Sequence, residues 1–382
     1  MKRIYLDNAA TTKVDSRVLE AMMPYFDKSF GNASSVHGYG RETKVLLEDA
    51  RETLANFIGA NPSEIYFTSG GTESNNFAIK GAAFGNPGRH NHIISTKIEH
   101  SSVLDTLEYL QDKFGFDITY LPVNKFGEID MQFLKDSVKN QTFLISIMQS
   151  NNELGVINDI SKIAEIVGDR KIVLHTDSVQ SIGKTRFNVP DIGCTTASMS
   201  AHKIYGPKGI GALYIRKDTE IDKFIHGGMQ ERNRRGGTEN IPAIAGFKKA
   251  IEILSEEMSL DIENYSRLKN YFIGKLRLEF GERIIINSLE NEKSLPNIVN
   301  ISFNPEKVKI DSDTLVIKLD MQGIAVSSGS ACTSGSIKPS HVLKAIGYDD
   351  ETAKSSLRIS FGRENKDDDV DYLIEVLREI IL

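Results

Sequence analysis

Apolar and polar positions follow two periods along this chain. Over residues 41–58 apolar side chains recur at Leu46, Ala50, Leu54, Phe57 and Ile58, which predicts an amphipathic helix stopped by Gly59. Short apolar runs then appear at 64–68, 92–96, 142–148, 171–177 and 210–215, each bounded by polar turns. They are too short for helices and read as strands. Helix-length segments separate most of them. The pattern predicts an α/β fold, a large doubly wound and mainly parallel sheet with helices on both faces.

The pattern changes in the last third. A long helix is predicted over 261–280, closed by Gly281, followed by strands at 284–287, 297–303 and 324–327. A final helix, 366–382, puts Val370, Leu373, Ile374, Leu377 and Ile381 on one face, with Asp367, Asp368 and Asp369 in its first turn, where the helix dipole favours them. This is a smaller α+β unit. The expected division is a large domain of residues 15–258 and a small one of residues 1–14 with 259–382.

Ligands of doubly wound sheets sit beyond the carboxyl ends of the strands. Thr72, His100, Asn152 and Asp177 fall at or just after these strands, and Lys203 follows a further strand-like region and precedes the run at 210–215. Each has a functional and an ordinary reading. Ser69-Gly-Gly-Thr72 opens a helix and offers free N–H groups to a phosphate, or is simply a capped helix start. His100 stacks on a flat ring or lies on the surface. Asp177 closes an apolar strand, where an unpaired carboxylate is costly; it pairs with a cation or caps the next segment. Lys203, in Ser200-Ala-His-Lys203, is one solvated lysine among many or forms a Schiff base with an aldehyde cofactor. Arg358, in a short strand, grips a carboxylate or completes a salt bridge.

Two further stretches stand out. Residues 226–240, rich in Gly and Arg, read as a long functional loop too polar for the core. Cys332 lies in Ser327-Ser-Gly-Ser-Ala-Cys332-Thr-Ser-Gly-Ser336, where nothing buries a thiol, and is expected to be exposed, mobile and reactive. Cys194 is expected in the core.

Composition narrows the class. The chain has 382 residues, two cysteines and a net charge of -6. That leaves no basic stripe for nucleic acid and no disulfide framework. No signal-peptide core or membrane-length apolar run appears, so a cytoplasmic location without membrane contact is expected.

The motifs Tyr5-Leu-Asp-Asn-Ala-Ala-Thr-Thr12, Thr68-Ser-Gly-Gly-Thr-Glu-Ser-Asn75, Glu99-His100, Asn151-Asn-Glu-Leu-Gly155, Asp177-Ser-Val-Gln180, Ser200-Ala-His-Lys203, His226-Gly-Gly-Met-Gln-Glu-Arg232 and the Cys332 stretch occur in one order. In that order and spacing the whole chain resembles the NifS/IscS-type (group I) cysteine desulfurases. These are class V aminotransferase relatives with the fold of type I pyridoxal-phosphate-dependent transferases.

The resemblance implies pyridoxal 5'-phosphate on Lys203. Gly71, Thr72, Ser200 and His202 would hold its phosphate, with Thr238 reaching across a homodimer interface. Asp177 would pair with the pyridine nitrogen. Gln180 and Asn152 would meet the phenolic side, and Asn152 also the substrate. His100 would stack on the ring and relay protons, and Arg358 would bind the carboxylate of L-cysteine. Cys332 would take the sulfur as a persulfide, leaving L-alanine, and pass it to an iron–sulfur scaffold or another sulfur acceptor for cluster assembly or thiolation. No metal of its own is implied, though Cys332 would be a transient ligand of a cluster shared with a scaffold.

Met229, Gly236 and Gly71 depart from the family's usual residues without touching these roles. The chain also ends without the C-terminal tail by which some IscS proteins dock their scaffold. The alternatives are a selenocysteine lyase on the same scaffold and a non-catalytic assembly subunit. An ordinary aminotransferase would have no use for Cys332.

Overall fold

Seven strands form the main sheet: β1 (Ile65–Thr68), β2 (His92–Thr96), β3 (Asp117–Leu121), β4 (Thr142–Ser146), β5 (Val173–Asp177), β6 (Thr196–Ser200) and β7 (Gly211–Ile215). A computed structural model describes residues 3–86, 90–310, 312–328, 332–333, 336–337 and 339–381, with the backbone alone at 313, 332, 333, 336 and 337. The strand order is β1-β7-β6-β5-β4-β2-β3. β7 pairs antiparallel with both β6 and β1, and every other pairing is parallel. This is the mainly parallel α/β sheet expected.

Helices cover both faces. On one lie α1 (Gly38–Ile58) and the first half of a 40-residue helix; their Leu47, Leu54, Ile244, Phe247 and Ile251 pack with Ile145, Leu174 and Ala197 of the sheet. On the other, α2 (Gly71–Phe84) and α3 (Ser101–Phe114) bring Phe77, Ala78, Val103, Leu107 and Leu110 against Ile93, Leu144 and Leu213.

The 40-residue helix, α4 (Ile241–Phe280), starts twenty residues before its predicted start. Ile241, Ile244, Phe247, Ile251, Ile253 and Leu254 are all buried. Apolar residues on nearly every face leave no single stripe to read, which is the signature of a helix enclosed by protein. At 1.5 Å per residue it runs about 60 Å. Its far half joins another core, with Leu268, Phe272 and Leu276 against Val299, Ile301, Leu357 and Ile359. Ile4 and Leu6 from the start of the chain complete that core, as do Leu373 and Leu377 of the C-terminal helix α5 (Asp367–Ile381). Its sheet is antiparallel, with Leu357–Ser360 and Ile284–Ile286 flanking Ile298–Phe303.

The loop expected to be too polar for the core is corrected at one position. Glu231 is buried and receives two bonds of 2.9 Å from Arg51, a buried residue of α1. Its carboxylate also accepts from the backbone N–H of Phe67 at 2.8 Å. A charge read as solvated is instead paired and fully hydrogen-bonded, the condition under which burial is tolerated. Cys194 is buried as expected, and burial pushes its thiol up to about 12.

Candidate active site

The loops after β1, β2, β4, β5 and β6 open on one cavity of about 370 Å³. Gly71, Thr72, His100, Asn152, Asp177, Gln180, Ser200, His202, Lys203 and Arg358 all line it. Thr238 does not; it sits exposed in the loop before α4. The side chain of Cys332 lies outside the described residues.

Lys203 stands at the centre. Its Nζ donates to the carbonyls of Ala9 at 2.5 Å and Ala10 at 2.8 Å. The N-terminal loop is strapped onto the lysine turn by Thr12, whose N–H and hydroxyl both donate to the carbonyl of His202. Burial pushes the Lys203 amine down to about 8; the charge of Arg358 adds to this, while Asp177 and Asp7 oppose it. At pH 7.5 about a quarter of such amines are neutral, against about one in a thousand at the ordinary value. Burial, with Lys203, Lys208 and Lys184 nearby, holds His202 near 4 and therefore neutral.

Asp177 closes β5, and one carboxylate oxygen accepts from the N–H of Val179, as a cap would. The other accepts from Asn75 Nδ2 at 2.7 Å. Because a carboxylate only accepts, that bond fixes the amide orientation, and Asn75 Oδ1 faces His175 Nε2 at 3.1 Å. His175 must donate there, leaving Nδ1 to accept from the Thr196 hydroxyl at 2.9 Å. Burial drives this imidazole down to about 4, so it stays neutral.

Asn75 also donates to Ser102 Oγ at 2.8 Å, which lies 2.8 Å from His100 Nδ1. His100 Nδ1 caps α3 by accepting from the N–H of Ser102, so the neutral ring keeps its proton on Nε2. Asp177 and His100 thus hang on one chain of hydrogen bonds through Asn75 and Ser102.

Sequence reasoning assigned nothing to Asn75, Ser102 or His175. Asn75 lies within one of the quoted motifs, four residues after Gly71 on the inner face of α2. His175 alternates into the strand interior, with no local sign of its partner a hundred residues away.

Across the cavity, Arg358 Nη2 donates to Asp7 at 2.7 Å and Nη1 to the carbonyl of Asn152 at 3.0 Å. Its Nε is buried without a partner. Gln180 donates to the carbonyl of Ala9, and its buried Oε1 has no partner. At the other end Gly70 leads into α2 with φ 149°, a conformation that suits glycine. The first N–H groups of that 14-residue helix have no intrahelical acceptor. The cavity can therefore take an anion at α2, a cationic ring atom at Asp177, a carbonyl at Lys203 and a carboxylate at Arg358. Among the described residues no three His, Cys, Asp or Glu side chains are grouped to hold a metal ion, and no helix is long and apolar enough to cross a membrane.

Residues 4–373 match the family model of class-V aminotransferases. A relative from Dictyoglomus turgidum, cysteine desulfurase IscS, is 46% identical over 382 residues, all of this chain and 95% of the relative. Among solved structures, a NifS-like protein superposes with a TM-score of 0.91 at 40% identity, covering 99% of each chain. SspA in complex with cysteine superposes with a TM-score of 0.81 at 38% identity, covering 94% of this chain and 98% of that one. With six of its eight motifs contributing to one cavity and its whole length matched, the chain belongs to the class-V aminotransferase family, among the NifS/IscS-like cysteine desulfurases.

Proposed function

We propose that this protein is a pyridoxal-phosphate-dependent cysteine desulfurase, converting L-cysteine to L-alanine and a persulfide on Cys332. The observation that carries the reading is Lys203. Its amine is buried, depressed to about 8, and shares a single cavity with Asp177 and Arg358.

The residues present fit the cofactor. A cavity of about 370 Å³ suits a small phosphorylated ring. Gln180 Oε1 is a buried polar atom in want of a partner. Gly71, Thr72, Ser200 and His202 surround the start of α2, where a phosphate is favoured. Asp177 would hold the pyridine nitrogen, His100 the ring face, and Gln180 with Asn152 the phenolic side. Bound there, pyridoxal phosphate supplies the carbonyl that accepts the substrate amine and the electron sink that weakens the bond to the α-hydrogen.

The protein's own groups do the rest. Arg358 holds the substrate carboxylate in a charge-assisted pair, in place of part of its present contact with Asp7. Lys203 Nζ, as a free amine, takes the proton from the substrate α-carbon. His100 Nε2 faces the cavity as a proton relay. The Cys332 thiolate attacks the substrate sulfur: an S–S bond forms and the C–S bond breaks. Its electron pair stays with the β-carbon, which takes up a proton, and the α-carbon recovers the proton that Lys203 removed, giving alanine.

The same reading includes a homodimer. Met23, Phe26, Phe30, Val36, Tyr39 and Val45 are exposed apolar residues gathered early in the chain, and a second copy would cover them. Thr238 would reach the partner's phosphate from there. The small domain would be residues 1–14 with 259–382, and the persulfide would pass to an iron–sulfur scaffold or thiolation partner.

The test is alanine and sulfide release from L-cysteine with reductant, for wild type and Cys332→Ala, with the visible spectrum alongside. A yellow variant that releases almost no sulfide is expected. A variant that releases sulfide as fast as wild type removes Cys332 from the mechanism and makes selenocysteine the next substrate to try.

A further inference from the structure

The Cys332 stretch is fastened at its near end to a residue that lines the cavity and at its far end to sequence neighbours of two others. At the near end Ser327 pairs with the backbone of Arg358, with N–H···O bonds of 2.7 and 3.3 Å. At the far end Ser340 begins the helix His341–Ala345, capping it with its hydroxyl. That hydroxyl donates to Glu153 Oε2 at 2.6 Å, in the loop where Asn152 meets Arg358. His341 Nε2 donates to the carbonyl of Glu99 at 2.9 Å, the residue before His100.

Cys332 follows Ser327 by five residues and precedes Ser340 by eight. At about 3.5 Å per residue its Cα stays within about 18 Å of the first anchor and about 28 Å of the second. The near anchor sits on the strand of Arg358, and the far one on the His100 and Asn152 loops. Both described anchors of the stretch therefore sit on the elements that carry Arg358, Asn152 and His100.

We propose that Glu153 and His341 are positioning residues that fix the far anchor of the Cys332 stretch and so set the sulfur-transfer step, apart from substrate binding. This rests on the desulfurase reading above. Glu153 is buried beside His341 and Arg358, and no catalytic step uses it. Burial raises its carboxyl above the usual range, against the Ser340 bond and the neighbouring His341 and Arg358. Its hydrogen bond to Ser340 is one that Gln can reproduce and Ala cannot.

The experiment uses the cofactor-loaded full chain. Cysteine affinity is read from the absorbance change on binding, and persulfide on Cys332 by mass in a single turnover. Glu153→Ala is expected to slow persulfide formation at least about ten-fold, since small misplacements of reacting groups are costly, with cysteine affinity within two-fold of wild type. Glu153→Gln should recover to within about three-fold. His341→Ala, which removes the other bond, should slow the same step and carries the test if Glu153→Ala does not fold. Persulfide formation at the wild-type rate in Glu153→Ala, or equal losses in affinity and rate, overturns the proposal. A wild type that forms no persulfide on Cys332 overturns the desulfurase reading itself, and the anchor's role with it.

Discussion

The two walls of the cavity are made in different ways. On the sheet wall, Asp177 closes a strand and Thr72, His100 and Lys203 each follow one within a few residues. Their placement comes from local turn chemistry: a glycine entry to α2, a histidine cap on α3, a carboxylate capping the chain after β5. The opposite wall is assembled from chain segments far apart. Asn8 bonds the carbonyl of Ser360 across 352 positions, and Arg358 reaches Asp7 across 351. The first wall survives wherever the sheet forms. The second exists only when the start of the chain is docked on the last strand. On the proposed reading, cofactor chemistry falls to the sheet wall and carboxylate recognition to the assembled one.

If that contrast is right, the largest loss comes from the centre of the sheet wall. Lys203→Ala should lower cysteine turnover by roughly 10³-fold or more, as expected for a group serving as nucleophile and proton carrier. Its melting temperature should stay near that of wild type, because the variant removes a desolvated amine rather than a packing element. Turnover kinetics and a thermal melt check both halves. A residual rate within ten-fold of wild type would take the lysine out of the chemistry.

The assembled wall should fail differently. Arg358→Lys keeps the charge but loses the planar fork, so KM for cysteine should rise roughly ten-fold with a smaller change in kcat. Arg358→Gln goes further and tests coupling between the walls. After burial, the Arg358 charge is the next cause of the lowered Lys203 amine. Removing it must raise that amine's pKa. In cofactor-free protein the rate of pyridoxal phosphate incorporation should rise with pH through about 8 in the wild type, as the Lys203 amine loses its proton. The midpoint should move to higher pH in Arg358→Gln and stay put in Arg358→Lys. Equal midpoints in all three would mean that the walls do not communicate electrostatically.

The same contrast explains what could be read in advance. Strand ends and their turns are local, so β2, at residues 92–96, is predicted to the residue, and α2 and α5 lie within a few residues of expectation. The edge strand β3, half-buried, is not among the predicted runs; the other failures are non-local. Glu231 reads as a solvated charge until Arg51 arrives from 180 positions away. The first half of α4 carries no stripe because both the sheet and α1 enclose it. Asn75 is visible as a motif residue, yet its service to Asp177, His175 and Ser102 depends on three strands and helices meeting. Arg358 could be picked from a short strand as a carboxylate grip or a salt bridge; its contacts with Asp7 and Asn152 come from the fold.

The smallest expected effect concerns Glu99, which belongs to both walls, its carbonyl bonded to His341 and its side chain buried under the sheet loops. One carboxyl oxygen accepts from the N–H of Met148 and the hydroxyl of Thr96, and the other is buried without a partner. Burial pushes the group up to about 8; Asp177 adds to the shift, and the Met148 and Thr96 bonds oppose it. The folded carboxyl therefore keeps its proton up to about pH 8, while the unfolded one releases it near 4.5. Stability drawn from this group is complete below pH 4.5 and falls as pH rises to 8. Glutamine has the same shape, keeps an acceptor for Met148 and Thr96, and does not titrate. The melting temperature of Glu99→Gln relative to wild type should thus climb between pH 5 and 8.5, by roughly 2–5 °C in all. Lys203 and Lys184, whose amines burial lowers to about 8 and about 7, contribute the opposite slope, but they do so in both proteins and cancel in the difference. A difference that does not change with pH would mean that Glu99 is already ionised in the folded protein. The sheet wall would then hold a second buried carboxylate beside Asp177, and its electrostatics would have to be redrawn around two negative charges instead of one.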